Sequence, residues 1–286
     1  MNSTLSSRHI TSAPNLGIII YKKYLTNELE ILRFIPEGGT VPDFRAGQFV
    51  SLGVDLPYEN RITYRTYSIA SPPEEKRHFE LYIKMVTEPL PGKLTSAIFN
   101  LKERDRVYWH YPAGFFTIEE KKIDGSLDMR RLILVASGTG LAPFISYILH
   151  LKNIGTRREI ILMHGAKYAA DLGYRDMLED LQAQTQNNWN FRYLPSVSRP
   201  DHPLSAGWNG NTGRVESLLI RNNDNTSELE RIVGERITPE NSFFHICGYQ
   251  GTIDAVSKLL TPAGFVTNIN KRKDNSFDIK IETYGS

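Results

Sequence analysis

The sequence predicts a two-part β + α/β fold: an N-terminal antiparallel six-stranded β-barrel, then a C-terminal parallel-sheet α/β domain. Three features of the 286-residue chain point there. Short β-branched or aromatic runs, separated by turn residues, fill the first part. A continuous apolar run, Arg131 to Ala136, opens the second, as expected of a buried parallel strand. From that run onward strand-like and helix-like segments alternate, the rhythm of a parallel sheet covered on both faces.

The barrel strands are expected at Gly17–Tyr21, Leu29–Phe34, Gln48–Leu52, Tyr64–Ala70, Phe79–Val86 and Arg106–His110. Pro36-Glu37-Gly38-Gly39, Ala46-Gly47 and Ser71-Pro72-Pro73 are turn signals between them. Leu94, Ala97, Ile98 and Leu101 recur at helical spacing and predict one helix among the strands. In the second part the expected strands are Arg131–Ala136, Glu159–His164, Phe191–Val197, Phe243–Cys247 and Phe277–Tyr284. Helices are expected from Pro143 to Lys152, Asp171 to Gln184, Gly213 to Arg221 and Thr252 to Leu260. Proline suits the first of these, because a helix start has no use for its missing N–H. The polar stretch from Arg221 to Ser242 reads as a surface loop or helix without catalytic weight. The expected domains are a flexible tail over 1–15, the barrel over 16–124 and the α/β domain over 125–286.

Composition sets limits on function. Hydrophobic content of 40% and charged content of 23% suit a soluble globular chain. A net charge of +2 gives no electrostatic case for nucleic acid. No apolar run approaches the ~20 residues that span a bilayer. Met1 to Asn15 is polar and lacks an apolar stretch, so it reads as a tail rather than a signal peptide, and the cytoplasm is the expected compartment. The single cysteine, Cys247, excludes a disulfide within the chain and a four-cysteine iron–sulfur cluster, and no metal site is expected. Single-electron chemistry would therefore need an organic cofactor.

Four segments carry chemistry. In Arg65-Thr66-Tyr67-Ser68-Ile69, strand alternation puts Arg65 and Tyr67 on one side, Thr66 and Ser68 on the other. The cation suits a phosphate, the ring a planar ligand, and the Ser68 hydroxyl a ring nitrogen. Gly92-Lys93-Leu94-Thr95-Ser96 places a glycine, a cation and two hydroxyls at a helix start, where N–H groups and the helix dipole favour a phosphate. Ser137-Gly138-Thr139-Gly140-Leu141-Ala142-Pro143 joins a strand to a helix at the carboxyl edge of the sheet, where open α/β folds bind ligands. It differs from G-x-G-x-x-G, with Ala142-Pro143 at the third position. Cys247-Gly248 ends another strand at the same edge, and the chain closes on Glu282-Thr283-Tyr284. Three cations, Lys167, Arg199 and Arg214, stand at or just beyond strand ends and suit a phosphate dianion.

In order and spacing these segments resemble the ferredoxin–NADP reductase family of the plant-type superfamily, in its bacterial ferredoxin/flavodoxin reductase branch. The resemblance runs from about Leu16 to Tyr284. It implies FAD and NADP(H) as cofactors, with ferredoxin or flavodoxin as partner. Arg65, Thr66, Gly92, Lys93, Leu94, Thr95 and Ser96 would hold the FAD pyrophosphate. Tyr67 would pack on the isoalloxazine, Ser68 would sit near flavin N5, and Tyr82-Ile83-Lys84 would line the ribityl edge. Gly138, Thr139 and Gly140 would turn the nicotinamide toward the flavin, with Cys247, Gly248 and Glu282 beside its C4. Tyr284 would cover the other flavin face, although Gly285-Ser286 extend past it where the family ends in the aromatic. Lys167, Arg199 and Arg214 would bind the 2′-phosphate; Lys167 replaces the usual arginine, and His202 to Asn211 lengthen the gap between the other two. The implied activity is hydride transfer between NADPH and flavin, coupled to one-electron exchange with the carrier by a monomeric enzyme. The alternatives are a cluster-free reductase component of an oxygenase and an electron-transfer component of a larger redox complex. Lys22, Lys23, Arg45, Arg61, Lys84 and Lys271-Arg272-Lys273 form a candidate basic rim for an acidic carrier.

Overall fold

The computed structural model describes residues 14–56, 61–85, 87, 92–184 and 189–283. Six antiparallel strands come first: β1 (Asn15–Thr26), β2 (Leu29–Pro36), β3 (Phe49–Leu56), β4 (Arg61–Ser68), β5 (Phe79–Lys84) and β6 (Arg106–Ala113), with helix α1 (Lys93–Asn100) before β6. Their order is β4-β3-β6-β1-β2-β5. The sheet curls until its two edges meet: Ile69 bridges Leu81, and the Ala70 N–H donates to the Glu80 carbonyl at 2.8 Å. Leu32, Phe34, Val50, Leu52, Ile69, Phe79 and Leu81 fill the interior, and Leu94, Ile98 and Phe99 of α1 plug one end.

The second sheet is wholly parallel, ordered β10-β9-β8-β7-β11-β12. Its strands are β7 (Arg131–Ser137), β8 (Ile160–Ala166), β9 (Phe191–Val197), β10 (Asn211–Thr212), β11 (Ser242–Gly248) and β12 (Ile279–Thr283). Helices α2 (Ala142–Asn153), α3 (Arg175–Ala183), α4 (Glu228–Val233) and α5 (Gln250–Leu260) accompany them. Alternate residues of β7 serve different cores. Leu132, Leu134 and Ala136 join one, while Ile133 and Val135 join the other with Ile253 and Val256 of α5. The first of these cores also takes in Leu29, Ile31, Ala70, Tyr82 and Phe116 of the N-terminal part, so it runs across the domain boundary. Helix α2 lies in this shared core. Every residue from Ala142 to Ile148 is buried, which explains its lack of a polar face.

Some elements differ from expectation. The helix expected from Gly213 is a 3-10 turn, Val215–Leu219, preceded by the two-residue strand β10. Helix α3 begins only at Arg175, because Tyr174 before it takes a left-handed conformation with φ 60°. The polar stretch after Arg221 contains α4, started by a capping box between Ser227 and Glu230. Glu230 is buried there and receives both Arg221 and the Ile237 N–H, and these donors hold its carboxyl down to about 2.

Several polar contacts cross the boundary. Lys280 of β12 donates to the Thr117 carbonyl at 2.8 Å and to Glu119. The Tyr174 hydroxyl meets Glu80 at 2.8 Å. The Tyr147 hydroxyl of α2, fully buried, donates to the Phe116 carbonyl at 2.5 Å. Tyr147→Phe should lower stability by about 1–2 kcal/mol, because it leaves that carbonyl without its donor. Thermal unfolding of the variant checks this; an unchanged Tm would mean that the Tyr147 hydrogen bond adds nothing to the boundary beyond the packing of its ring.

Candidate active site

At the carboxyl edge of the parallel sheet the domain boundary brings three polar side chains together. Ser68 ends β4 of the barrel. Cys247 and Glu282 are register partners on the parallel strands β11 and β12, so their side chains stand together on one face. The Glu282 carboxylate accepts from the Ser68 hydroxyl at 3.5 Å and from the Cys247 thiol at 3.8 Å. Ser68 and Cys247 are buried. Burial pushes the Glu282 carboxyl up to about 7, against the opposing pull of the thiol and the hydroxyl. Near neutral pH this group is therefore divided between acid and anion. Tyr284, expected beside it, lies outside the described residues.

Backbone packing behind these side chains requires glycine. The Gly138–Leu141 turn follows β7 directly and leads into α2. A Cβ on Gly140 would fall 2.1 Å from the Cys247 carbonyl oxygen. A Cβ on Gly248, where φ is +151°, would fall 2.0 Å from Ser137 Oγ. That hydroxyl accepts the Tyr249 N–H at 3.2 Å. The ends of β7 and β11 are thus held against each other, and Gly138 and Thr139 face a groove beside them.

The groove has a volume of about 570 Å³. Lys167, Arg199 and Arg214 all line it and are exposed. Two of them are joined through the backbone, the Arg199 N–H donating to the Lys167 carbonyl at 3.0 Å. The inserted segment after Arg199 is tied to the same loop. Ser205 accepts the Ala169 N–H and donates to the Arg199 carbonyl, and the His202 ring lies 4.2 Å from that of Tyr168. Among the lining residues that were not anticipated, Tyr249 and Glu216 stand out by their chemistry. Tyr249 is 53% exposed and directly follows Cys247-Gly248, which was the signal available for it. Glu216 brings a carboxylate whose Oε2 is buried without a hydrogen-bond partner among the described residues, and nothing in the sequence marks it.

On the barrel side, Arg65 and Thr66 are exposed on β4, and the Arg65 guanidinium touches only its neighbour's carbonyl, at 3.0 Å, among the contacts described. Helix α1 packs against β3 and β4, which sets it beside this strand. Gly92 caps α1 in an extended conformation with no side-chain bond, and the first turn carries no acid. Lys93 is exposed there, Ser96 is half-buried, Leu94 and Thr95 are buried, and the Thr95 hydroxyl donates to the Gly92 carbonyl at 3.2 Å. The Tyr67 ring packs on the barrel core, and its hydroxyl is buried without a hydrogen-bond partner among the described residues. Burial raises that phenol well above its usual range.

The β5 residues divide. Ile83 is fully buried in the barrel core. Tyr82 and Lys84 line the nucleotide-side groove, and the Tyr82 hydroxyl lies 3.4 Å from the Asp171 carbonyl. Of the candidate basic rim, Lys22 is a correction: its side chain is 5% exposed and paired with Glu30, so it cannot meet a partner. Arg272 is paired with Asp278.

Two family models match, in chain order. Residues 17–118 match the oxidoreductase FAD-binding domain and residues 134–258 the oxidoreductase NAD-binding domain. The chain belongs to the ferredoxin–NADP reductase family. A ferredoxin NADP+ reductase from Neisseria gonorrhoeae, solved with bound FAD and NADP, superposes with a TM-score of 0.76 at 24% identity, covering 95% of this chain and 99% of that one. The ferredoxin-NADP+ reductase from Plasmodium falciparum gives 0.70 at 19% identity, covering 97% and 98%. Among curated proteins, one subunit of the Na(+)-translocating NADH-quinone reductase is 28% identical, both in Yersinia pestis, over 80% of this chain, and in Pseudomonas aeruginosa, over 89%. The chain spans 60% and 63% of the length of those two relatives.

Proposed function

We propose that this family member is an FAD-dependent ferredoxin (or flavodoxin)–NADP reductase, taking hydride from NADPH and passing electrons singly to a separate carrier protein. The observation that carries it is the meeting of Ser68 from the barrel with Cys247 and Glu282 from the parallel sheet. A flavin held by one domain and a nicotinamide held by the other would face each other there.

The residues present fit both groups. The orphaned Tyr67 hydroxyl, the exposed Arg65 and the acid-free start of α1 suit an aromatic ring and a pyrophosphate. Arg65, Thr66, Lys93 and Ser96, with the backbone of Gly92, Leu94 and Thr95, would bind the latter. FAD, when bound, supplies a hydride acceptor that can return electrons one at a time. The protein's own part is positional. Gly140 and Gly248 let two strand ends approach closely enough to aim the nicotinamide, with Gly138 and Thr139 lining its path. Cys247 excludes water behind it. Lys167, Arg199 and Arg214 bind the 2′-phosphate of NADPH.

Glu282 tunes the polarity of the junction. As an anion it favours the positive charge that a nicotinamide gains on giving up hydride. Its carboxyl loses its proton near pH 7, so the rate of flavin reduction should rise as pH rises through about 7. Glu282→Gln should remove that rise, as read by stopped-flow absorbance. A rise that survives in the variant would assign it to another group.

A second reading is an electron-transfer component of a larger complex that uses NADH. Two observations favour it: the curated relatives are named as NADH-quinone reductase subunits, and Glu216 puts a carboxylate in the groove. A carboxylate suits a ribose diol and repels a phosphate. Steady-state assays with each nucleotide, with ferredoxin, flavodoxin and a quinone as acceptors, separate the two. Ferredoxin or flavodoxin reduction by NADPH supports the first; NADH with quinone alone supports the second.

A further inference from the structure

We infer that Lys22 and Glu30 are positioning residues for the FAD pyrophosphate. They fix the far end of α1 and so set where its first turn lies. This inference rests on the flavin assignment above.

Lys22 stands in β1, where strand alternation alone would make it an ordinary surface cation. Its ammonium instead sits 2.8 Å from the Ile98 carbonyl, 3.1 Å from that of Phe99 and 2.9 Å from that of Leu101. The fourth neighbour is Glu30 Oε2 at 3.1 Å. The Tyr24 hydroxyl, also from β1, donates to the Phe99 carbonyl at 2.7 Å. The last carbonyls of a helix have no partners within it, and a cation there matches the helix dipole. One ammonium has three protons to donate, and here it faces three carbonyls at the helix end together, of which that of Ile98 also accepts the Leu101 N–H at 3.1 Å.

The helix it holds has eight residues, about 12 Å of rise. So short a helix is not stable alone, and its place is set by what it packs on. Leu94, Ile98 and Phe99 anchor it through apolar contact, which resists removal but tolerates sliding. Lys22 supplies directed bonds at one end only. At the other end Gly92 brings no side-chain bond and the first turn brings no acid. Among the described residues no carboxylate stands in that turn, which suits an anion, and the clamp keeps the turn in place.

Glu30 completes the device. Its side chain is wholly buried, and it balances the charge that Lys22 brings inside. A buried ion pair is often no more stabilising than a well-packed apolar pair. An apolar pair, however, could not hold three carbonyls.

The test is flavin binding by the apo-protein, not turnover. Wild type, Lys22→Met and the neutral double variant Lys22→Met/Glu30→Gln are titrated with FAD and with riboflavin, which has the ring but no pyrophosphate. The expected result is FAD binding weakened by about tenfold or more, with riboflavin binding within about twofold of wild type. If Glu30 left alone prevents the single variant from folding, the double variant carries the test. Equal losses for both ligands, or no loss for either, would overturn the inference and leave Lys22 as a core residue. A wild-type protein that takes up no FAD would overturn the flavin assignment itself, and this inference with it.

Discussion

Gly140→Ala is expected to cut nucleotide binding by up to about two orders of magnitude while FAD binding stays near wild type. The added methyl would overlap one peptide group, that joining Cys247 to Gly248: the carbonyl oxygen at 2.1 Å, its carbon at 2.5 Å and the Gly248 nitrogen at 2.8 Å. No rotamer relieves a clash with backbone, so β7 and β11 must part. Overpacking of this kind strains the fold by about 1–3 kcal/mol; because a bound nucleotide needs the strand ends back together, the strain falls on binding, up to about a hundredfold in affinity. Parting those strand ends also moves Cys247, so hydride transfer should slow as well. The barrel contributes no atom to the clash, which is why FAD serves as the control. Isothermal titration with NADP+ and with FAD checks both halves. Normal NADP+ affinity in the variant would remove the Gly138–Leu141 turn from the nucleotide site.

Arg199→Ala is expected to raise KM for NADPH by about tenfold to a hundredfold and to leave KM for NADH little changed. The guanidinium is exposed and lines the groove, and its loop is joined to that of Lys167 by a backbone hydrogen bond. A charge-assisted bond to phosphate contributes about 1.5–3 kcal/mol. NADH has no phosphate there to lose. The ratio of the two KM values is therefore the readout, and equal changes for both nucleotides would sink the 2′-phosphate assignment. Arg214 stands beside Glu216 in the chain, so its substitution mixes two effects and is the poorer choice.

The strands were the easiest part to foresee. The apolar run of β7 and the spaced runs of β1 to β6 each announce their burial locally, whereas strand order rests on long-range pairing and was not legible. Long-range charge pairing was not legible. Lys22 reads as a surface cation because its partners, Ile98, Phe99 and Leu101, lie 76 to 79 residues away. Glu230 was hidden for a different reason: its partners Ser227, Ile237 and Arg221 lie within nine residues, but in a polar stretch without apolar periodicity, where only the capping-box spacing of Ser227 and Glu230 marks a helix. At the site, Ser68, Cys247 and Glu282 were each marked by position at a strand end, and the fold brings them together. Tyr249 and Glu216 were missed because exposure in a groove depends on loops that no local pattern fixes. The resemblance places Tyr82 and Lys84 at the ribityl edge of the flavin; both line the groove that also holds Lys167, Arg199 and Arg214, and the Tyr82 hydroxyl lies 3.4 Å from the Asp171 carbonyl.

The most direct test of the central claim is the visible spectrum of the purified protein under anaerobic conditions, first with NADPH and then with NADH. The account predicts flavin absorbance that bleaches fast with NADPH and more slowly with NADH. A colourless protein that takes up no added FAD, or a flavin that neither nucleotide bleaches, would contradict it.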